Sequence, residues 1–301
     1  MAENCKNDPK RFFSFYKMKD IGNKGVGPFI RDGEVIADSM VIVDVLNDYF
    51  SSVFMDEGEG GPSYPNMDDV GDLLMEDSLD ISSGLISKFI RNIKPNKAPG
   101  PDGIYARALR EGADSILKAL ELIFKKSFSC SEVPFDWKQA NITPIFKKGN
   151  RAEVSNYRPI SLCSIVGKLF ERVVRGKVQS HLDTYNLLKD SQHGFRSGRS
   201  CCTNLLSCFD YVTGKIDEGD SIDIVYLDFS KAFDKVPHAE LLYKLRSHGI
   251  RGRVYSWIAG RLMGRVQRVV LNGYKSSWKP VCSGVPTRVC VGAIVIYAIC
   301  K

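Results

Sequence analysis

The sequence predicts a mixed α+β fold, and three observations carry that prediction. Several segments place apolar residues at helical spacing, among them Val41 to Val53 and the set Ile165, Leu169, Phe170, Val173 and Val174. Other runs are short, β-rich and bounded by turn residues: Gln139 to Phe146, Arg158 to Leu162, and Ile222 to Phe229. Finally, Asn272-Gly273 stands between Val266–Leu271 and Ser277–Val281, as expected of a β-hairpin.

Each element follows from local signals. Asp80 reads as the N-cap of a helix whose one face carries Leu85, Ile86, Phe89, Ile90 and Ile93. Asn96 to Gly103 holds two prolines and two glycines and reads as a rigid loop. A long helix is expected over Ala106 to Phe128, followed by the strands at 139–146 and 158–162 and the amphipathic helix from Ile165. Gly194 to Ser200 reads as a basic glycine loop and Thr203 to Ile216 as a helix. Ile222 to Phe229 reads as a buried strand that ends near Asp228, with two short helices after it, His238–Ser247 and Val254–Met263.

With 301 residues the chain is long enough for a sizeable core in one large domain or two smaller ones. No apolar run reaches the length of a membrane span, and the first residues lack the apolar core of a signal peptide. The nine cysteines form no Cys-x-x-Cys pair, and the four histidines show no metal-ligand spacing. These features exclude a secreted disulfide framework and a zinc module, and they favour nucleus or cytoplasm. The net charge is +7, but Asp56 to Asp80 is acidic and rich in Gly and Pro, so the remainder is distinctly basic. A basic body suits a polyanionic partner, although a merely solvated basic surface gives the same charge count.

Four groups of residues carry chemistry. A strand delivering Asp228, with Asp223 earlier on it, suits a hard divalent cation of the kind nucleotidyl transfer uses, since such ions take carboxylate oxygens. Many buried strands also end in a surface aspartate. Five residues on, Phe233 could press on the sugar C2′ position and reject a ribose by clash; without Asp228 it reads as a core phenylalanine. Lys147 and Lys148 close one strand and Arg158 opens the next, so a hairpin would place point charge and a bidentate fork together for a triphosphate. A solvated hairpin has the same pattern. In Gln192 to Ser200, Arg196 and Arg199 sit among glycines and hydroxyls, as in a loop that approaches phosphates, or in an ordinary glycine turn.

In order, Lys97-Ala98-Pro99-Gly100-Pro101-Asp102-Gly103, Ile142 to Gly149, Tyr157 to Leu162, Gln192 to Arg196, Leu227 to His238 and Ser283 to Pro286 together resemble the reverse transcriptase of non-LTR retrotransposons, the jockey and CR1 type of LINE element. The resemblance covers roughly residues 81–286. It implies a right-hand polymerase fold with fingers and a partial palm, the thumb absent. It also implies RNA template, DNA primer and dNTP as partners, two Mg2+ ions in the intact family enzyme, and neither a membrane nor a small-molecule cofactor. By the same resemblance Asp228 is a catalytic metal ligand and Phe233 the sugar gate. Phe229, Lys147, Lys148 and Arg158 belong to the nucleotide site, and Lys97, Arg196 and Arg199 lie near template or nucleotide. The expected organisation is a connector over 1–55, an acidic flexible linker over 56–80, fingers with the start of the palm over 81–220, and a partial palm over 221–286.

After Pro286 the chain departs from the family pattern. That pattern continues Gln-Gly-Ser-Val-Leu-Gly-Pro-Leu-Leu-Phe, then reaches an Asp-Asp hairpin that supplies the other metal ligands, and then a thumb. Here the chain reads Thr287 to Lys301 instead. A coding sequence for Gln-Gly-Ser-Val-Leu-Gly-Pro-Leu-Leu-Phe-Met-Leu-Tyr-Val-Asn-Asp, read with one added A before it, can spell every residue from Thr287 to Lys301 and then a stop. The tail 287–301 is therefore expected to be an out-of-frame peptide, from a one-base insertion or an equivalent two-base loss. One carboxylate does not hold two catalytic metals, so the chain itself is expected to be inactive. The alternative function is a non-catalytic RNA- or DNA-binding remnant.

Overall fold

The computed structural model describes residues 25–31, 33–55, 74–194, 196, 198–228 and 230–285. The aromatic cluster from Phe12 to Tyr16, most of the expected acidic linker, Phe229, Pro286 and the tail 287–301 lie outside the described residues.

Helices and strands are mixed, as expected. In chain order they are β1 (Phe29–Arg31), β2 (Glu34–Ile36), α1 (Ser39–Ser51), α2 (Ser83–Arg91), α3 (Ala106–Glu111), α4 (Ala113–Cys130), α5 (Phe135–Lys138) and β3 (Gln139–Phe146). There follow β4 (Tyr157–Cys163), α6 (Ile165–Thr184), α7 (Cys201–Asp217), α8 (His238–Ser247), α9 (Gly252–Leu262), β5 (Val266–Leu271), β6 (Tyr274–Lys275) and β7 (Lys279–Pro280). A small sheet runs in the order β4-β3-β5-β6, with β7 also paired to β5. β3 is antiparallel to β4 and parallel to β5.

Two prolines face each other in the first pair, Pro144 opposite Pro159. Neither can donate to a ladder, so each needs an edge. β4 is an edge strand, and the pairing of β3 with β5 ends at Ile142↔Val269, before Pro144 is reached.

Apolar burial divides between two clusters. The larger is helical and centres on Phe124, Phe170 and Trp257, whose rings pack at centroid distances of 4.9 Å on either side of Phe170. The smaller joins α1 to the sheet through Leu46, Phe50, Ala140, Ile142, Tyr157 and Val269. Helix α1 thus packs directly on the sheet.

Three local expectations change. Ser82, not Asp80, caps α2: its hydroxyl accepts from the Leu85 N–H, while Asp80 accepts from the Ser82 N–H. Both residue types cap helices well, and a two-residue offset is not fixed by sequence. The long helix from Ala106 is broken at Gly112 into α3 and α4, consistent with glycine's poor helix propensity. The return arm of the 266–281 hairpin is split, because Asn272-Gly273 brings Tyr274 straight back against Leu271 while Lys279 pairs separately with Gln267.

A carboxylate ties α2 to α4. Glu121 accepts from the Ser83 hydroxyl and from Lys125 Nζ at 2.5 Å, and Lys118 lies 3.7 Å away. The Lys125 hydrogen bond, then that of Ser83, lowers its pKa from 4.5 to about 2. A carboxyl whose folded pKa is depressed adds stability above pH 4.5 and loses it as pH falls toward about 2. Glu121→Gln is therefore expected to flatten the acid limb. In thermal melts at pH 6 and pH 3, wild type should lose more melting temperature than the variant; equal losses contradict the assignment.

Candidate active site

The site is built on the β3–β4 hairpin. Ile145 pairs with Arg158 and Phe146 with Tyr157, and the Lys147 N–H donates to the Asn156 carbonyl at 2.8 Å. The loop between them is braced from inside. Asn156 Nδ2 donates to the Asn150 carbonyl at 2.9 Å, Tyr157 Oη to the Arg151 carbonyl at 3.0 Å, and the Arg151 guanidinium sits 4.3 Å from the Phe146 ring centroid. Gly149 turns at φ 91°, where a Cβ would lie 2.7 Å from the Asn156 amide. Lys147 and Arg158 stay exposed at the mouth of this hairpin.

Opposite stands the 228–236 segment. Lys231 adopts φ 53° and its carbonyl accepts from the Asp234 and Lys235 N–H groups, closing a tight turn. Residues 283–285 hold this turn. Gly284 N–H donates to the Val236 carbonyl and Val285 N–H to the Phe233 carbonyl, both at 2.8 Å, and the Ser283 hydroxyl donates to the Asp234 carbonyl at 2.7 Å. Gly284 has φ 78°, and a Cβ there would meet the Phe233 and Asp234 carbonyls at 2.6 Å, so the contact requires glycine. The Gly284 carbonyl in turn accepts from His238 Nε2 at 2.8 Å and from buried Arg265 at 2.9 Å.

Between hairpin and turn lies a cavity of about 730 Å³. Its lining includes Lys147, Arg158, Asp228, Phe233 and Asp234, and also Tyr49, Phe50 and Val53 at the end of α1. Four of the residues singled out from the sequence thus converge. Lys148, Lys97, Arg196 and Arg199 do not line it. Arg196 and Arg199 each lie 3.5 Å from Asp190, and Arg196 also donates to the Lys189 carbonyl. The Lys97 loop lies elsewhere, against the β4–α6 junction, where a Cβ on Gly100 would fall 2.5 Å from Ser164 N.

The strand expected to carry Asp228 is not present. Residues 222–228 have no regular pairing, and Val225, Tyr226 and Leu227 are 79%, 87% and 89% exposed. The preceding α7 has no buried residue, with Leu205, Leu206, Phe209 and Tyr211 turned to solvent. The run Ile222 to Phe229 is rich in β-forming apolar residues, but a strand is stabilised by its neighbours, and among the described residues none pairs with it. Asp228 therefore reaches the cavity from an irregular, uncovered segment.

Three residues at the site, Tyr49, Lys231 and Asp234, were not singled out from the sequence. Tyr49 of α1 accepts a hydrogen bond from Lys231 Nζ at 2.9 Å. Asp234 is largely buried; burial raises its pKa, with Lys231 and Arg265 pulling the other way. The residues present do not fit a two-cation centre. Among the described residues no three His, Cys, Asp or Glu side chains converge, and the only cavity carboxyls are Asp228 and Asp234.

Residues 145–292 match the family model for reverse transcriptase (RNA-dependent DNA polymerase). The chain carries a reverse transcriptase domain. More particularly, it belongs to the non-LTR retrotransposon reverse transcriptases. It is 31% identical over 202 residues to the RNA-directed DNA polymerase from mobile element jockey of Drosophila melanogaster, covering 67% of this chain and 22% of the relative. It is 27% identical over 201 residues to the probable RNA-directed DNA polymerase from transposon X-element of the same fly, covering 66% and 22%. A third relative is the Pol polyprotein of retrotransposable element R2 from Popillia japonica, 28% identical over 174 residues, covering 58% and 23%. The chain thus spans about a fifth of the length of these relatives. Among the described residues no helix is long and apolar enough to cross a membrane.

Proposed function

We propose that the cavity is a deoxynucleotide site at the junction of fingers and a partial palm, and that residues 1–301 bind nucleotide without polymerising it. The observation that carries this reading is the convergence of Lys147, Arg158, Asp228 and Phe233 on one cavity. Lys147 and Arg158 stand at one rim, where point charge and a planar fork suit a triphosphate. Phe233 is half-buried and packs on the helical core, so its ring is backed and can act as a wall against the sugar. Template RNA and primer DNA are the proposed partners, with Lys148, Lys97, Arg196 and Arg199 on the nucleic-acid or nucleotide periphery, and Phe229 is proposed as a nucleotide contact.

Divalent ions in such a family supply charge neutralisation and activation of the 3′-hydroxyl. Asp228 is the one exposed carboxylate at the cavity, too few for two ions, so no step is assigned to a metal here. The uncovered 222–228 segment and α7 point the same way. They present apolar surface that further palm strands would cover, and after Pro286 the chain departs from the family pattern that supplies them. Binding without chemistry is the corresponding reading for this piece. It is tested by calorimetric titration of dTTP into residues 1–301. Saturable one-to-one binding is expected, and no detectable heat or binding at millimolar dTTP refutes the reading.

A further inference from the structure

Helix α1 belongs to the connector, yet its last turn forms a wall of the cavity. The helix is pinned there from several directions. Leu46 and Phe50 are buried against the sheet, Asn47 Nδ2 donates to the Ser277 carbonyl at 2.9 Å, and Asp48 pairs with Lys279. Just beyond it, the Met55 N–H donates to the Ser283 hydroxyl at 2.8 Å, the same hydroxyl that holds the Asp234 carbonyl. A side chain at the end of α1 therefore has a fixed position relative to the turn that carries Phe233.

Tyr49 uses that position on Lys231. Lys231 Nζ donates to Tyr49 Oη at 2.9 Å and lies 4.5 Å from the ring centroid. Both residues line the cavity. Lys231 lines the cavity on the segment between Asp228 and Phe233, and its charge acts on Asp234, pulling that carboxyl down against the effect of burial. A lysine has a long flexible stem and loses rotamer entropy when it is ordered. Fixing it in advance with a phenol, which takes no charge from it, leaves a pre-placed cation for an anionic ligand. With Lys147 and Arg158 the cavity then carries three cations against two carboxyls, Asp228 and the partly buried Asp234 whose pKa burial raises, an excess suited to a polyphosphate.

We propose that Tyr49 is a positioning residue that seats Lys231 as a third cation for the polyphosphate of a bound nucleoside triphosphate, making the connector an integral part of the nucleotide site. This rests on the reading of the cavity as a nucleotide site and adds to it a residue and a role.

The test is dTTP binding by isothermal titration calorimetry to wild type, Lys231→Ala, Tyr49→Phe, Tyr49→Leu and the Tyr49→Leu/Lys231→Ala pair, with Arg158→Ala as the control. Lys231→Ala should weaken binding about tenfold, the loss expected of one hydrogen bond to a charged group. Tyr49→Leu should approach that loss, and Tyr49→Phe, which keeps the ring, should recover part of it. Because Tyr49 acts through Lys231, the double variant should bind as Lys231→Ala does. Wild-type affinity in both Lys231→Ala and Tyr49→Leu, or additive losses in the pair, overturns the proposal. If Arg158→Ala weakens binding while the Tyr49 and Lys231 variants do not, the nucleotide site stands and this inference fails. If wild type binds no dTTP, both fail. A parallel titration with oligo(dT) separates backbone phosphates from triphosphate, and losses confined to the oligonucleotide also overturn it. Circular dichroism melts show that each variant is folded, and Tyr49→Phe carries the argument should Tyr49→Leu not fold.

Discussion

Glu171→Leu should lower the free energy of unfolding by about 3–5 kcal/mol, the cost of leaving a buried charge without its partner. Glu171 on α6 and Arg261 on α9 meet in the core, with Arg261 Nε 2.6 Å from Glu171 Oε1 and side-chain exposures of only 1% and 4%. Burial works against the Arg261 charge, but Glu171, with help from Cys163, outweighs it and holds the pKa above its ordinary value. Arg265 stands beside them. Burial, and next the neighbouring Arg261 charge, pushes its pKa down to about 10, so removing Glu171 leaves Arg261 without its anion beside a second buried cation. The pair itself is only partly satisfied: Glu171 Oε2 and an Arg261 terminal nitrogen find no partner among the described residues. A half-satisfied buried pair contributes little net stability compared with good apolar packing. The double variant Glu171→Leu/Arg261→Met should therefore recover most of the loss. Urea unfolding of the three proteins checks this. A single variant within about 1 kcal/mol of wild type, or a double variant no better than the single, contradicts the account.

Arg158→Ala should weaken dTTP binding by at least about tenfold, because it removes a charged, bidentate donor from the rim of the cavity. Its position makes the effect specific. Arg158 is held opposite Ile145 by the hairpin register, its neighbour Tyr157 is buried, and its own side chain is exposed. The substitution should leave the melting temperature nearly unchanged, since an exposed charge contributes little to stability. Arg196→Ala, on a loop where Asp190 already engages the guanidinium, should change dTTP affinity far less. Equal losses from the two variants would point to a diffuse basic surface instead of a site. Lys147→Ala should fall between them, because a lysine supplies a point charge without the planar fork.

The β3–β4 hairpin was legible almost to the residue. Its signal is local: alternating burial, prolines that demand edges, and a basic glycine-containing turn. Helices α1, α6 and α8 were legible for the same reason, since their apolar spacing reports directly on a buried face. The 222–228 segment was misread because its burial depends on strands outside the segment. Periodicity records what a segment is suited to pair with, not whether the partner is present. Two of the cavity's cations, Lys147 and Arg158, were legible from type and spacing and Lys231 was not, while Lys97, Arg196 and Arg199 could not be separated from the first two, because only tertiary packing decides which charges share a cavity. Tyr49 was invisible for a different reason. At helical spacing from Leu46 and Val53 it reads as another core aromatic, and its hydrogen bond spans 182 residues of sequence. Gly284 lay in a recognised block, yet its purpose, a backbone approach to Phe233 and Asp234 that no Cβ permits, appears only in three dimensions.

Primer extension tests the central claim most directly, that this is a nucleotide site whose carboxylate set does not support catalysis. Purified residues 1–301 are given an oligo(dT) primer on poly(rA), dTTP and Mg2+, beside an Asp228→Ala control. The account predicts no extension above that control from a protein that still binds dTTP. Extension by the wild-type chain that Asp228→Ala abolishes would contradict it, and would mean that a working metal centre assembles around Asp228 from residues within this chain.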